Sequence, residues 1–418
     1  MIKLLIIADD LTGALDTGVK LSQKGARAEV CITHSDYKNY GHFTDVLIVN
    51  TDSRHLSAPD AYKRVFDVAS FMYGVGVRKF YKKTDSVLRG NPGAELRALQ
   101  DAVKGVPVYF APAFPALGRT TKSGIQYVDG IPIAQTVFGS DPFTPVRSSD
   151  VAELLGLQYD GKIRKIKAGD IPENVTDEIL VYDAETDEDL EKAARTLHSD
   201  PLLMAGCGGF ANFIFDRCGL EKSRIAQPDL PKSAVVFSGS IHPVTHTQIA
   251  ALESAGVLYV TFDAQQLELP FFSQSRECAE IIKRAAATAG RVVAFGTRTD
   301  RSAIIEASSV GLKREQAELK REQAGLAREQ AGLNLGEIGK QLLDRFSEAV
   351  FIIVGGDTLL SLLQTVNCTS LRPIGEPLPG CALSTAAIFG QQRYLITKSG
   401  GFGDEETLKL LTQYVLNS

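Results

Sequence analysis

Residues 3–10 read KLLIIADD, and this short stretch decides the fold. Lys3 to Ala8 is a mostly apolar run with no polar alternation, the pattern of a strand buried on both faces. Such strands belong to parallel sheets covered by helices. The run then ends in Asp9 and Asp10, and two adjacent carboxylates at a buried strand end repel each other and lose solvation. Asp10 read as the N-cap of the helix opening at Leu11-Thr12-Gly13 accounts for one of them. It does not account for two. In open parallel sheets, ligands bind beyond the carboxyl ends of the strands, so the pair marks a place to look for chemistry.

Working outward, strand-like runs recur at 28–33, 45–51, 79–84, 106–111, 178–183 and 202–207, with helical periodicity between them, as at 59–73 and 93–104. A second alternation runs through 234–239, 258–263, 291–296, 349–354 and 393–397. Alternation of this kind predicts an α/β fold. We expect two domains, each a mainly parallel sheet flanked by helices, with an active-site cleft between them. The proline-containing stretch QPDLPKS (227–233) places the boundary, giving domains 1–229 and 230–418. Residues 112–150 show no clean period and are long for a passive loop. Residues 313–333 hold three heptads in register, KREQAEL-KREQAGL-AREQAGL, within a helical insert over about 311–335. Their single leucine ladder, Leu312, Leu319, Leu326 and Leu333, predicts a charged helix extended by duplication rather than a coiled-coil seam.

The 418 residues carry a formal net charge of −5, with 44% hydrophobic and 23% charged residues. That balance fits a globular domain protein and argues against general nucleic-acid binding. No apolar run approaches membrane-spanning length, and the N-terminus lacks the pattern of a signal peptide. The six cysteines are scattered, with no C-x-x-C pair, as expected of reduced thiols in a cytoplasmic protein. No membrane and no nucleic-acid partner is expected, and a homo-oligomer is compatible with the sequence.

Two further strand ends of the first half carry charge. Asp52-Ser53-Arg54 follows one, and Arg54 offers a bidentate guanidinium for a carboxylate. Lys82-Lys83-Thr84-Asp85-Ser86-Val87-Leu88-Arg89 follows the next. Acids and bases at three strand ends outline a site for a small, hydroxylated, anionic molecule. Strand ends of the second half are glycine-rich: Ser238-Gly239-Ser240, Gly355-Gly356-Asp357-Thr358 and Lys398-Ser399-Gly400-Gly401. Glycines there let backbone amides approach a phosphate, and a following helix adds its positive end. There is no G-x-x-x-x-G-K-[ST], and Gly74-Val75-Gly76 lacks the third glycine of a dinucleotide fingerprint. Together the halves suggest a small-molecule kinase. A two-lobed binding protein and a nucleotide-cofactor oxidoreductase are the rival classes. His242 and His246 lack the glutamate of a zinc-protease helix, and Asp404, Glu405 and Glu406 read as the acidic first turn of the last helix.

The strings IADDLTGALDTG (7–18), KKTDSVLRGN (82–91), PAFPALGRTTKSG (112–124), DPFTPVRSSD (141–150), GGDT (355–358) and KSGGFG (398–403), in that order, resemble the four-carbon acid sugar kinase family. The resemblance implies a sugar-acid-binding N-terminal domain, an ATP-binding C-terminal domain, and phosphorylation of the terminal hydroxyl of a threonate- or erythronate-type acid. Carried over by motif, substrate contacts fall on Asp10, Arg54, Lys83, Thr84, Asp85 and Ser86, with Arg89 beside them. ATP contacts fall on Ser238, Gly239, Ser240, Gly355, Gly356, Asp357, Thr358, Gly400 and Gly401. The expected cofactors are ATP and Mg²⁺, and the expected catalytic groups are Asp85, as base, and Asp10. Arg119 and Lys122 are candidate anion partners in the long segment. The chain departs from the family pattern at Ile241-His242 and at Leu359-Leu360. Alternatives are a kinase of another small sugar acid, or a weakened member acting through sugar-acid binding or protein contacts.

Overall fold

The computed structural model describes residues 2–40, 44–141, 144–223, 228–298 and 314–418; Leu312 and Lys313 of the repeat lie outside them. Two compact units emerge, one comprising Met1–Ala226 with Ser370–Gly375, the other Gln227–Thr369 with Glu376–Ser418.

The first unit contains β1 (Leu4–Ala8), β2 (Ala28–Cys31), β3 (Val46–Asn50), β4 (Lys79–Lys83), β5 (Val108–Ala111), β6 (Arg119–Lys122), β7 (Ile125–Val128), β8 (Ile131–Pro132), β9 (Lys162–Ile166), β10 (Glu178–Tyr182) and β11 (Leu202–Gly206). Its main sheet runs β2-β3-β1-β4-β11-β5-β10-β9 with neighbours parallel, and Ser370 and Leu371 add an antiparallel edge on β2. All five residues of β1 are buried, as its lack of alternation requires. Each such Leu or Ile contributes roughly 1.5–3 kcal/mol relative to leaving it exposed. Chain growth reverses at β1, because β2 and β3 build on one side and β4 starts the other. Ala8 is in register with both Asn50 and Lys83, so the loops after β1, β3 and β4 open side by side.

The helices between these strands start where side-chain chemistry allows. Leu11–Ser22 is capped by Asp10, whose carboxylate accepts from the Gly13 amide. Ala58–Gly74 is capped by Ser57 and has proline in its first turn. Pro92–Ala102 likewise opens on a proline.

Residues 112–150 are not structureless. They hold a small antiparallel sheet, β6-β7-β8. Its turns are Ser123-Gly124 and Asp129-Gly130, with φ of 51° and 75°, and 50° and 79°. Positive φ at both central residues is the two-residue hairpin geometry that Asp-Gly and similar pairs favour. Those dipeptides were the available signal, and the very short strands hid the alternation around them. Strand β9 also lies outside the runs expected from sequence, because Lys162 and Arg164 break up its apolar pattern.

The second unit contains β12 (Ala234–Ser238), β13 (Leu258–Asp263), β14 (Val292–Arg298), β15 (Val350–Val354), β17 (Cys381–Ile388) and β18 (Gln391–Lys398), together with the end of β16 (Ser370–Leu378), whose residues up to Gly375 belong to the first unit. Strands β13-β14-β12-β15-β18 are parallel neighbours. Strand β17 runs antiparallel to β18 through another two-residue turn, Phe389-Gly390, with φ of 53° and 74°. Sequence reading missed β16 and β17. The repeat forms part of one helix, Arg314–Arg345. Its ladder leucines Leu326 and Leu333 are 62% and 59% exposed, while Leu335, Ile338, Leu342 and Leu343 are buried. Among the described side chains of this helix, the ladder leucines face solvent and the buried apolar positions begin at Leu335. All six cysteines are free and buried. Among the described residues no helix is long and apolar enough to cross a membrane.

Candidate functional site

In the first unit, the loops after β1, β3 and β4 bring together most of the residues expected to meet substrate. Arg54 lies at the centre. Its Nε donates to Asp9 Oδ2 at 2.7 Å, and its two terminal nitrogens donate to Asp10 at 2.8 and 3.1 Å. Asp85 Oδ1 stands 3.8 Å from the same guanidinium. Asp85 is also held by Arg89, through the side chain at 2.8 and 3.2 Å and the backbone amide at 3.2 Å. Gly90, at φ 89°, lies against Arg54, and a Cβ there would stand 3.1 Å from the Arg54 carbonyl oxygen. The two adjacent aspartates are thus tolerated because a guanidinium from the neighbouring strand end bridges them. Arg54 is consequently engaged by the chain's own carboxylates instead of standing free for a ligand.

Behind this layer is a second, buried one. Lys82 Nζ pairs with Glu95 Oε2 at 3.0 Å, both side chains being buried, and Ser53 Oγ donates to the same glutamate. Lys83 Nζ donates to the Thr84 carbonyl at 2.8 Å. A Cβ on Gly13 would stand 2.5 Å from Asp10 Oδ1 and 2.6 Å from Lys83 Nζ, so those two groups flank a position that only glycine leaves open. Four carboxylates (Asp9, Asp10, Asp85, Glu95) thus meet four cations (Arg54, Lys82, Lys83, Arg89), and a fifth carboxylate, Asp141, stands 3.9 Å from Arg89, so the cluster holds no surplus positive charge.

Burial raises the Asp9 carboxyl, but the charges of Arg54, Lys82 and Lys83 outweigh it and hold the group below its ordinary value. Asp85 is likewise desolvated, yet Arg54 and Arg89 keep it well below the usual carboxylate range. Glu95 goes the other way, raised by burial and by the charge of Asp9 against the pull of Lys82. Two polar atoms in the cluster, Asp9 Oδ1 and Thr84 Oγ1, have no hydrogen-bond partner among the described residues. A buried acceptor and a buried hydroxyl left unpaired at a strand end suit a hydroxylated ligand. A cavity of about 330 Å³ opens beside Arg54, lined also by His55, Leu88, Asn91 and Arg147.

Ser86 contributes its carbonyl, which accepts from Gln126 Nε2 of β7 at 3.2 Å. The long segment therefore buttresses the site, though not through the residues expected. Arg119 donates to the Leu117 carbonyl and Lys122 pairs with exposed Glu185 at 3.1 Å. Sequence reasoning missed Glu95 and Gly13 as cluster members, and it placed Lys82 and Ser53 at the same strand ends without giving either a role. Glu95 stands three residues after Pro92, where an acid looks like an ordinary first-turn complement to the helix dipole.

In the second unit the three glycine-rich strand ends converge, because β12, β15 and β18 are adjacent and in register at Ser238, Val354 and Lys398. The Gly239 amide donates to Thr358 Oγ1 at 3.2 Å, and the Gly355 amide to the Lys398 carbonyl at 2.9 Å. Thr245 Oγ1 bonds to Ser240 Oγ at 3.0 Å and to the Gly400 carbonyl at 2.7 Å. Cβ atoms on Gly239, Gly400 and Gly401 would meet Thr358 Oγ1, Ser240 Oγ and His242 Nε2 respectively. Only glycine permits this closeness. Helices Pro243–Ser254 and Gly356–Thr365 start at the cradle, which suits a polyphosphate. Asp357 pairs with Arg328 of the repeat. Two of the departures from the family pattern are absorbed structurally, since His242 caps its helix by accepting from the Val244 amide at 3.2 Å and Leu359 is buried, whereas Ile241 is exposed. The last helix begins at Thr407, so Asp404 to Glu406 precede it and are not its first turn. Asp404 instead accepts from the Glu406 amide and Thr407 Oγ1, at 3.2 and 2.9 Å.

Residues 4–214 match the model of a sugar-binding N-terminal domain, and residues 235–408 that of a nucleotide-binding C-terminal domain. A D-threonate kinase of Salmonella typhimurium is 30% identical over 97% of this chain and 96% of its own. The chain belongs to the four-carbon acid sugar kinase family. A D-erythronate kinase of Heliobacterium modesticaldum is 28% identical, covering 100% of this chain and 98% of its own. The family fold appears in a solved Haemophilus influenzae protein, with a TM-score of 0.71 at 19% identity over 99% of this chain and 100% of that one. Within the family frame, the charged cluster falls in the sugar-binding domain and the glycine cradle in the nucleotide-binding domain.

Proposed function

We propose that this protein is an ATP-dependent kinase that phosphorylates the terminal hydroxyl of a four-carbon sugar acid of the threonate or erythronate type. The observation that carries the reading is the charged cluster around Arg54 with its unpaired Asp9 Oδ1 and Thr84 Oγ1, in a domain matched by a sugar-binding model. The unpaired groups and the open side of Asp10 take the acid's hydroxyls. Because the cluster holds no surplus positive charge, the substrate carboxylate needs a cation of its own, and Arg147 lines the adjoining cavity.

Asp85 orients the attacking hydroxyl and receives its proton. The cations that keep it ionised make it a weak base, but phosphoryl transfer asks mainly for positioning and charge stabilisation, with the proton leaving late. Asp10, capping its helix while paired to Arg54, fixes a neighbouring hydroxyl. Ser238–Ser240, Gly355–Thr358 and Gly400–Gly401 surround the nucleotide's phosphates, which take the amides these segments leave unpaired, those of Gly400 and Gly401 among them. Mg²⁺ would be held by those phosphates and would offset their charge; among the described residues no group of three or more His, Cys, Asp or Glu is placed to hold an ion.

The test is ADP release with ATP and Mg²⁺ across D- and L-threonate, D- and L-erythronate and 3-oxo-tetronates. Turnover with one acid well above the acid-free background is the expected result, and Asp85→Asn should lower it by about 10²–10⁴-fold with ATP binding intact. Silence across the panel with ATP bound would point to a different sugar acid. Absence of ATP binding would overturn the kinase reading.

A further inference from the structure

The nucleotide-binding domain buries a charge that the proposed reaction leaves without a role. Lys398 is the last residue of β18, in register with Val354 on one side and Cys381 on the other. It is 1% exposed. Its ammonium donates to the Ser399 carbonyl at 2.8 Å and more weakly to the Gly400 carbonyl at 3.4 Å. Among the described residues no carboxylate lies within ion-pair distance of it. The titratable groups that face it are Cys381 on β17 and His242 at the start of helix Pro243–Ser254. Neither gives it a carboxylate partner. Burial accordingly lowers the amine to about 8, against a smaller opposing effect of Cys381. A buried cation without an anion is destabilising, and proteins keep one when something else completes the pair.

The geometry of the loop shows what that is. A trans peptide unit points its C=O and N–H in opposite directions. By holding the Ser399 and Gly400 carbonyls from behind, with Thr245 Oγ1 sharing the second, Lys398 turns the amides of Gly400 and Gly401 the other way. Those two amides have no hydrogen-bond partner among the described residues. Two outward N–H groups backed by an uncompensated ammonium make an anion site.

We propose that Lys398 is a positioning residue of the nucleotide site: it orients the Gly400 and Gly401 amides, and its charge is completed by the polyphosphate they bind. This rests on the nucleotide-binding reading above. Lys398→Met keeps most of the length of the side chain and removes the charge. The first measurement is the melting temperature of full-length wild type and K398M, without nucleotide and with MgATP. Isothermal titration with ATP, ADP and adenosine follows.

K398M alone should melt higher than wild type, because an unpaired buried charge is gone. Its ATP-induced rise should shrink, and its affinity for ATP and ADP should fall at least tenfold with adenosine binding unchanged. A lysine that merely braces the loop predicts the reverse pattern, in which K398M melts lower and binds ATP as wild type does; that result would overturn the proposal. A second test needs only wild type. ATP affinity should weaken as pH rises through about 8, while adenosine affinity stays flat. His242, lowered by burial and by Lys398 itself, titrates below that window. A pH-independent ATP affinity between 7 and 9 would also overturn it. Wild type that binds no ATP at any pH would instead remove the nucleotide reading on which the proposal stands.

Discussion

Gly13 shows how a single hydrogen in place of a methyl group can hold a site open. It lies in the first turn of helix Leu11–Ser22, where helix propensity alone favours alanine by about 1 kcal/mol. A Cβ there would stand 2.5 Å from Asp10 Oδ1 and 2.6 Å from Lys83 Nζ, too close for either. Both are ends of side chains and can swing away, so the fold should survive at a cost offset by the propensity gain. The site should not. Gly13→Ala is expected to leave the thermal midpoint within a few degrees of wild type and the ATP dissociation constant unchanged, while kcat/KM for the sugar acid falls at least tenfold. Unchanged kcat/KM would mean that Asp10 and Lys83 need not hold these positions. At this scale the sequence was informative where chemistry sits directly on a strand end, as with Asp10, Arg54, Lys83 and Asp85. It was silent on Glu95, and it placed Lys398 at a glycine-rich strand end without giving it a role. The first looks like a helix-start acid and the second like a surface lysine, until the sheet buries them.

The helix Arg314–Arg345 contains two different kinds of surface in series. Its repeat half presents Leu326 and Leu333 to solvent, and Arg328 reaches Asp357 from an exposed position, where an ion pair is worth about 0–1 kcal/mol. Its second half packs closely on helix Gly356–Thr365. A Cβ on Gly336 would meet Thr365 Oγ1 and stand 2.8 Å from the Ser361 carbonyl oxygen, and one on Gly339 would stand 2.8 Å from Leu362. Substituting Leu326 or Leu333 by lysine should therefore change stability by less than about 0.5 kcal/mol. Gly339→Leu should cost about 1–3 kcal/mol or more, read as a lowered midpoint in urea with an unchanged slope. A large loss from the leucine substitutions would mean that the repeat packs against something. Elements whose period matches their burial, such as β1, were legible from the sequence. The hairpins β6-β7-β8 and β17-β18 were not, because strands of two to eight residues between tight turns carry too few alternations to stand out, and only Ser-Gly, Asp-Gly and Phe-Gly marked them.

The six cysteines divide evenly between the two units: Cys31, Cys207 and Cys218 in the first, and Cys278, Cys368 and Cys381 in the second. Burial raises the thiols of Cys31 and Cys218 to about 12, and those of Cys207 and Cys278 to about 11. None of these four is a thiolate at pH 8, and each is shielded from reagent, so labelling must wait for opening of the surrounding structure. A ligand that binds only the folded form suppresses that opening by RT ln(1 + [L]/Kd), about 2.7 kcal/mol at a hundredfold excess over Kd, which is roughly a hundredfold in rate. Pulse labelling in mild denaturant with mass-spectrometric readout thus reports on each unit separately. MgATP alone should slow the modification of Cys278, Cys368 and Cys381. A sugar acid that is a substrate should slow that of Cys31, Cys207 and Cys218. If either ligand protected all six equally, the units would be opening as one cooperative body. If the pattern were reversed, with ATP guarding Cys31 and the acid guarding Cys381, the assignment of the charged cluster to the acid and the glycine cradle to the nucleotide would be wrong.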